Sequence, residues 1–372
     1  MRITAVKPIL TDRYLLVRVA TDAGLTGNGE AGLWARHEVV AREIESLAEY
    51  FVGKDPARIE HHHQAVSRAT HFMGSTASAA LSAIDVALWD IAGKAAGLPV
   101  HRLLGGRCRD RIKVFENVAG DSVEARADHA RELVEQGFTA LRTSPFFAGW
   151  ERTESSSAVI GEAVYIVGAI RDAVGDRADL GVEIHRNLTP DEAITLAAEL
   201  APFRLSYYED PLPPQSEDAL EYVARHVDLP IAAGERSYNL FQFAELIGRR
   251  IAAFIRPDLS LAGGITQAKK IAALAEASFV RVFPHLMGSP VNTCAFAQLD
   301  AAIPNYYLQE ANLPHGAARE VVDQPPRVVD GYLQLPDRPG IGIEIDEPAA
   351  ARFPFHPRGP AAPRNPDGSI RH

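Results

Sequence analysis

Residues 205–236 read LSYYEDPLPPQSEDALEYVARHVDLPIAAGER, and the fold follows from the pattern in this stretch. Two short apolar runs, 205–208 and 230–233, are typical of β-strands, and a helical stretch separates them. An acidic residue follows each run closely: Glu209 comes directly after the first run and Glu235 two residues after the second. One strand, one helix and one carboxylate at the strand end therefore form a unit of 26 residues.

The same unit recurs along the chain from residue 113 onwards. The strand candidates are residues 113–118, 139–142, 180–184, 205–208, 230–233, 253–256, 280–283 and 306–308. Helical patterns lie between them, for example at 190–200 and 266–277. This alternation favours a closed parallel α/β barrel over an open doubly wound sheet. A doubly wound sheet would also call for a glycine-rich phosphate turn after its first strand, which residues 118–122 do not form.

The first part of the chain has a different pattern. Two alternating strand-like stretches are followed by helical patterns at 36–51, 56–70 and 76–96, and Gly97 and Pro99 end the last of these. We therefore predict an α+β domain at residues 1–112 and a barrel at 113–322. Residues 323–372 are expected to return to the first domain and to finish in a loose tail, because proline, arginine and glycine are frequent there.

Composition excludes several classes of protein. The chain has 38 basic and 48 acidic residues, and this net charge of −10 argues against a nucleic-acid partner. No apolar run approaches the roughly 20 residues that a membrane helix needs. The first ten residues, MRITAVKPIL, lack the layout of a secretory signal, so a cytoplasmic location is expected.

Charged side chains stand at the ends of six of the predicted strands. They are Glu183 with His185, then Glu209, Glu235, Asp258, His285 and Glu310, and consecutive units are 23 to 27 residues apart. A lone glutamate after a strand is ordinarily a first-turn helix residue stabilised by the helix dipole. In a parallel barrel, however, the carboxyl ends of all strands meet at one mouth, so we expect these groups to share a pocket.

Three glutamates gathered at one mouth would repel one another and would be costly to desolvate. A hard divalent cation with oxygen ligands removes that cost, and Mg²⁺ leaves coordination positions open for a substrate. Glu183, Glu209 and Glu235 are the predicted ligands of one Mg²⁺.

The two histidines have separate predicted roles. His285 and Asp258 stand on neighbouring strands, where the carboxylate would orient the imidazole and raise its basicity, as a general base requires. His185 follows Glu183 at the i, i+2 spacing, which places both side chains on one side of a strand. It is the candidate general acid.

The motifs in the chain resemble those of the enolase superfamily, in its mandelate racemase-like branch. The most specific are residues 82–94 (SAIDVALWDIAGK), 103–106 (LLGG), 208–211 (YEDP), 233–236 (AGER), 261–266 (LAGGIT) and 285–291 (HLMGSPV). The likeness covers nearly the whole chain, and the layout is most similar to sugar-acid dehydratases of the galactonate and mannonate dehydratase type.

The resemblance implies a capping domain over a (β/α)₇β barrel and proton abstraction from the carbon next to a carboxylate, which forms an enediolate. It assigns the same metal ligands, base and acid as above. It adds Glu310 as the group that hydrogen-bonds the enediolate. His71 and Trp34, near the two loops with which such caps close the site, become candidate substrate contacts, although ordinary surface positions explain them equally well.

Two positions depart from the family pattern. Glu183 stands where aspartate is usual, so the metal or the acid would be displaced by about one methylene. Arg142 stands on the strand where many relatives carry a lysine base, and a guanidinium stays protonated, so it cannot act as that base. We therefore expect Arg142 to contact the substrate carboxylate, and a two-base racemase of the Lys/His kind is disfavoured.

The predicted reaction is Mg²⁺-dependent dehydration of a small sugar acid to a 2-keto-3-deoxy acid, in a homo-oligomeric enzyme. Epimerisation, racemisation or cycloisomerisation from the same enediolate is the nearest alternative. A non-catalytic carboxylate-binding protein is a second. A Schiff-base barrel is disfavoured because no lysine stands at a strand end after Lys113.

Overall fold

The computed structural model describes residues 1–153, 155–310, 314–359, 362 and 364–370 of the chain. Its first part is a three-stranded antiparallel sheet packed against helices, which we call the cap. The strands are β1 (Ile3–Thr11), β2 (Tyr14–Thr21) and β3 (Thr26–Ala31). The helices are α1 (His37–Phe51), α2 (Ile59–Ala69), α3 (Ser75–Ala96) and α4 (Val100–Leu103). The three longer helices confirm the helical patterns of the sequence to within three residues at each end.

Helix α3 packs directly on strand β3 because two glycines leave room for it. A Cβ atom built at Gly27 would overlap the carbonyl oxygen of Ala87, and one at Gly29 would overlap that of Ala83. Any larger residue at either position would push the helix off the sheet. Side chains alternate along a strand, so Glu30, between Gly29 and Ala31, points to the opposite face.

The second part is a barrel of eight parallel strands, with a helix after each of the first seven. The strands are β4 (Ile112–Asn117), β5 (Ala140–Thr143), β6 (Asp179–Glu183), β7 (Tyr207–Glu209), β8 (Ile231–Ala233), β9 (Phe254–Ile255), β10 (Arg281–Val282) and β11 (Gln309–Glu310). The main helices are α5 (Val123–Glu135), α6 (Ser156–Val174), α7 (Pro190–Leu200), α8 (Glu217–Ala224), α9 (Leu240–Gly248), α10 (Gly264–Ala277) and α11 (Pro290–Ala302).

Two contacts close the ring of strands. Strand β11 pairs in parallel with β4, and a parallel bridge joins Val282 of β10 to Tyr306, just before β11. The predicted fold class, a (β/α)₇β barrel with an α+β cap, is therefore confirmed. The eighth strand lies slightly later than predicted: residues 306–308 are apolar and aromatic, but the ladder with β4 forms at Gln309 and Glu310.

Aromatic side chains fill the barrel interior below the mouth. The rings of Tyr207 and Phe283 lie 4.8 Å apart between centroids, and Phe115 and Phe254 pack against Phe283. Gly181 makes this packing possible, because a Cβ atom there would overlap the ring of Tyr207. The interior is therefore filled by packed side chains, which support the groups at the mouth.

The chain after the barrel touches both units. It contains α12 (Ala317–Glu320), β12 (Val328–Val329), β13 (Tyr332–Leu333) and α13 (Glu347–Ala350). Strand β13 pairs antiparallel with β4, and the hydroxyl of Thr11 in the cap donates to the carbonyl of Ala350 over 2.9 Å. The domain boundaries after residues 112 and 322 stay a prediction. Among the described residues, no helix is long and apolar enough to cross a membrane.

Replacing Gly181 with alanine should destabilise the barrel. The new methyl group has no space beside the buried Tyr207 ring, and overpacking of this kind costs roughly 1–3 kcal/mol. Gly161 in α6 is the matched control, because it faces open space and its replacement by alanine should stabilise the helix by roughly 0.5–1 kcal/mol. Urea unfolding midpoints of the two variants measure both effects, and an unchanged midpoint for Gly181→Ala would contradict the tight contact.

Candidate active site

Three glutamates meet where strands β6, β7 and β8 end. Glu183 is the last residue of β6 and pairs across the ladder with Glu209, the last residue of β7. Glu235 lies two residues beyond β8. One carboxylate oxygen from each of the three lies within 4.8 Å of the others. The structure thus brings together the three predicted metal ligands as a group of oxygen donors that could hold a cation.

Glu209 is fully buried between two guanidinium groups. Arg142 donates from Nη1 to both of its carboxylate oxygens, over 3.1 and 3.3 Å, and Nε of Arg256 lies 2.9 Å from its Oε1. Burial raises the pKa of Glu209, and the positive charges of Arg256 and Arg142 oppose that rise. The buried carboxylate is tolerated because cations surround it.

Glu310 ends the eighth strand and lies against the same two arginines. Its Oε1 accepts from Nη2 of Arg142 over 2.6 Å, and its Oε2 accepts from Arg256 and from the backbone N–H of Leu286 over 3.3 Å each. Burial alone would raise the pKa of Glu310, but Arg142 and Arg256 outweigh it and hold the pKa below its ordinary value. Glu310 is therefore an ionised group that accepts hydrogen bonds and cannot donate them.

Arg142 is the centre of this network. Besides Glu209 and Glu310 it lies 3.3 Å from Glu183, and its Nε donates to Asn117 over 2.9 Å. Its predicted contact with a substrate carboxylate stays a prediction, because its described partners are protein groups. Its position among three carboxylates explains why a permanently charged guanidinium suits this strand.

Negative charge remains in excess at the mouth. Arg186 pairs with Glu235 and lies 3.3 Å from Asp210, which adds a third guanidinium and a further carboxylate. Six carboxylates among the described residues of this region thus face three guanidiniums. They are Glu183, Glu209, Asp210, Glu235, Asp258 and Glu310. A divalent cation among the three glutamates would offset most of the excess.

His285 and Asp258 form the pair that the sequence predicted. Nδ1 of His285 lies 2.8 Å from Oδ2 of Asp258, whose Oδ1 accepts from the backbone N–H and the hydroxyl of Ser260 over 2.8 and 2.5 Å. A carboxylate can only accept, so Nδ1 must carry the proton of the imidazole. The other nitrogen, Nε2, lies 3.6 Å from Oε2 of Glu235.

His185 lies in the same cavity and has a different partner. Strand β6 ends at Glu183, and His185 has a φ of 56°, so the strand alternation used to place it does not extend this far. Its Nε2 lies 2.6 Å from Nη2 of Arg186, which can only donate. Burial, reinforced by Arg186, lowers the pKa of His185 to about 4. The imidazole is therefore neutral and has its proton on Nδ1.

These groups line an open cavity of about 670 Å³. Its polar side is formed by Asn117, Arg142, Glu183, His185, Asn187, Glu235, His285 and Glu310. Its other side includes Phe146, Phe147 and Trp150 from the segment after β5, with Met287. Phe146 and Trp150 stack at 4.3 Å, and Arg126 fixes the backbone of this segment by donating to the carbonyls of Ser144 and Phe146.

The two predicted substrate contacts from the cap lie elsewhere. His71 is exposed, and neither it nor Trp34 is among the residues that line the cavity. The ring of Trp34 lies 5.0 Å from the Arg358 guanidinium and 5.6 Å from the ring of His37. Their contact with a substrate stays a prediction.

Sequence reasoning missed the arginines that balance the carboxylates. Arg186 and Arg256 were not assigned a role, although each lies within two residues of a predicted site residue. That proximity was the available signal. The aromatic wall of Phe146, Phe147 and Trp150 was also missed, and its cluster of large apolar residues just after a strand was a weaker signal of the same kind.

Comparison with known proteins places this architecture in a class. Residues 125–349 match the "Enolase C-terminal domain-like" family, and residues 2–105 match the "Mandelate racemase / muconate lactonizing enzyme, N-terminal domain" family. The fold and site therefore define a capped barrel of the enolase type. The chain belongs to the enolase superfamily, in its mandelate racemase / muconate lactonizing enzyme family.

The relatives in this family are similar over their full length. The chain is 35% identical to a D-galactonate dehydratase of Variovorax paradoxus, covering 96% of each protein. It is also 35% identical to the D-galactonate dehydratase family member RspA of Pantoea ananatis, covering 99% of this chain and 98% of that protein. A crystal structure of an enolase from Agrobacterium radiobacter, with bound sodium and L-malate, superposes with a TM-score of 0.94 at 32% identity, covering 100% of this chain and 99% of that chain.

A divalent cation should stabilise the protein through the three glutamates. At a concentration of Mg²⁺ about 100 times its Kd, binding should raise the free energy of unfolding by about 2.7 kcal/mol. Glu183→Gln should lose this effect, and Glu183 is the ligand to change because it is more exposed than Glu209 or Glu235. Glu151→Gln, which removes a carboxylate from the same cavity wall, is the control that should retain it. Thermal unfolding with and without Mg²⁺ checks both, and equal stabilisation of Glu183→Gln and the wild type would place the cation elsewhere.

Proposed function

We propose that this chain is a Mg²⁺-dependent dehydratase that converts a sugar acid of the aldonate class into a 2-keto-3-deoxy acid. The observation that carries the proposal is the placement of His285. Its Nδ1 is held by Asp258 at 2.8 Å, and its Nε2 faces the group of three glutamates, 3.6 Å from Glu235. An oriented base opposite a cation site is what removal of a proton next to a carboxylate requires.

The three glutamates fit Mg²⁺ by their chemistry. They offer oxygen donors only, they lie close together, and negative charge is in excess around them. Glu183, Glu209 and Glu235 would hold the ion. When bound, it would stabilise the charge that develops on the substrate carboxylate as the α proton leaves. The bound sodium and L-malate in the Agrobacterium structure support a cation and a hydroxy acid in a barrel of this kind.

His285 is the proposed base. It takes the α proton onto Nε2, and Asp258 then stabilises the imidazolium that forms, because its carboxylate is fixed by Ser260. Arg142 is proposed to donate to an oxygen of the substrate carboxylate. Glu310, as an ionised acceptor, is proposed to hydrogen-bond the enediolate through the hydroxyl on its α carbon.

His185 is the proposed acid. Its Nδ1 carries a proton, because Nε2 accepts from Arg186. To act as the acid, this imidazole must first take a second proton from solvent, because loss of its only proton would leave an imidazolate. The imidazolium then gives one proton to the departing β-hydroxyl, which leaves as water while the carbon–oxygen bond breaks. The enol that remains tautomerises to the 2-keto-3-deoxy acid. The D-galactonate dehydratases among the relatives support this outcome.

Epimerisation or racemisation is the second candidate, because His185 and His285 line one cavity. If both imidazoles flank the α carbon, one can remove the proton and the other can return it on the opposite face. A screen of stereoisomeric sugar acids with Mg²⁺ separates the two reactions, since only dehydration produces a keto acid that absorbs after reaction with semicarbazide. A cytoplasmic location and a homo-oligomeric assembly stay predictions.

Replacing His285 with asparagine should remove the base and leave the metal site in place. Turnover should fall by roughly 10²–10⁴-fold, the usual contribution of a general base. Mg²⁺ should still stabilise the variant against heat, because none of the three glutamates has changed. Activity close to that of the wild type would exclude His285 as the base.

Replacing His185 with asparagine should separate the two proton transfers. Loss of the acid should stop formation of the keto acid, while His285 should still exchange the α proton with solvent deuterium. Mass spectrometry of the recovered substrate in heavy water measures this exchange. If exchange also disappears, His185 takes part in the first step and the acid-only assignment is wrong.

A further inference from the structure

The end of cap strand β3 and the residue after it contact the two loops that carry the His285–Asp258 pair. We propose that this segment, residues 30–32, positions the pair, with Glu30 as the positioning residue for His285. The inference rests on the proposed function in treating the pair as catalytic. The geometric claim is that the cap holds the two side chains at a fixed distance from each other. It can be tested without measuring turnover.

Glu30 reaches from the cap into the barrel loop that carries His285. Its carboxylate accepts the backbone N–H of Ser289 over 2.7 Å, the hydroxyl of Ser289 over 2.6 Å and the backbone N–H of Asn292 over 3.2 Å. Glu30 and Ser289 are both almost completely buried. A buried carboxylate with three donors is a rigid attachment, because each lost bond would leave a polar group unsatisfied.

The attachment lies at the start of helix α11. Ser289 is the N-cap of that helix, and its hydroxyl oxygen also accepts from the N–H of Val291 over 3.1 Å. A negative side chain beside a helix N-terminus is stabilised by the unpaired N–H groups there. His285 is four residues before Ser289, so Glu30 fixes the end of the short loop that carries the base.

Gly32 makes the second contact, to the loop that carries Asp258. Its N–H donates to the carbonyl of Ser260 over 3.1 Å, and Ser260 donates to Asp258 from its own N–H and hydroxyl. A Cβ atom at Gly32 would overlap the hydroxyl of Ser260. Only glycine lets the cap approach this closely without displacing the serine that orients Asp258.

The two loops follow strands β9 and β10, which pair with each other, but the loops themselves extend beyond that ladder. Residues 30–32, the last two residues of β3 and the residue after it, add a second connection by contacting both loops. The 2.8 Å contact between His285 and Asp258 is therefore set partly from the cap. The cap would contribute to the chemistry through its sheet as well as through the loops that close over a substrate.

The test compares Glu30→Gln with Asp90→Asn. Asp90 is a matched control because it is also a fully buried cap carboxylate with hydrogen bonds to backbone N–H groups, those of Asn28 and Ile341, but it contacts neither loop of the pair. Both variants should lose stability. Only Glu30→Gln should lose kcat selectively, by up to about 100-fold with a smaller change in KM, because the base is misplaced while the substrate contacts remain. Glu30→Asp, which keeps the charge, should recover part of the loss.

A direct readout is the Nδ1 proton signal of His285 in protein labelled with ¹⁵N-histidine, assigned by its absence in His285→Asn. The signal should shift or broaden in Glu30→Gln and Gly32→Ala and stay in place in Asp90→Asn. An unchanged signal in the first two variants would overturn the inference. If the wild type forms no keto acid from any sugar acid, the proposed function fails, and this signal still decides the positioning claim.

Discussion

The burial of Glu209 between Arg142 and Arg256 is the constraint on which the mouth of the barrel depends. A carboxylate without solvent is tolerated only beside positive charge, and the two guanidiniums are held in turn by Glu310. This network forms a rigid, charged layer above the aromatic interior, where Arg256 lies 4.2 Å from the ring centroid of Phe283. Because the layer is anchored below by packing, the groups above it are held in place. The excess of negative charge in this layer would favour a bound cation.

The same layer explains why the two histidines differ. Nδ1 of His285 lies against the carboxylate of Asp258, whereas Nε2 of His185 lies against the guanidinium of Arg186. The charged neighbours of the two imidazoles are thus opposite in sign, and the guanidinium beside His185 adds to the lowering of its pKa by burial.

Buried hydrogen bonds also join the cap to the barrel. Glu30 attaches to the start of α11, and Gly32 lies against Ser260, so the cap contacts both loops that carry the His285–Asp258 pair. The close packing of α3 on β3 through Gly27 and Gly29 keeps that sheet from moving. These hydrogen bonds fix the position of the cap relative to the barrel loops.

The sequence alone determined the repeat of strand, helix and carboxylate. That repeat predicted the barrel, the group of three glutamates and the His285–Asp258 pair. It did so because a spacing near one βα unit places successive strand ends at one mouth of the barrel. The placement of His185 in the cavity also agreed, although its φ of 56° shows that strand alternation was not the cause. Only the tertiary structure decided which arginine neutralises which carboxylate, that Glu310 is ionised, and that Glu30 reaches Ser289 across 259 residues of chain. These contacts join side chains from different units, so no periodic pattern in the sequence predicts them. Hydrogen bonds depend on distances between atoms, and those distances are fixed only after the chain has folded.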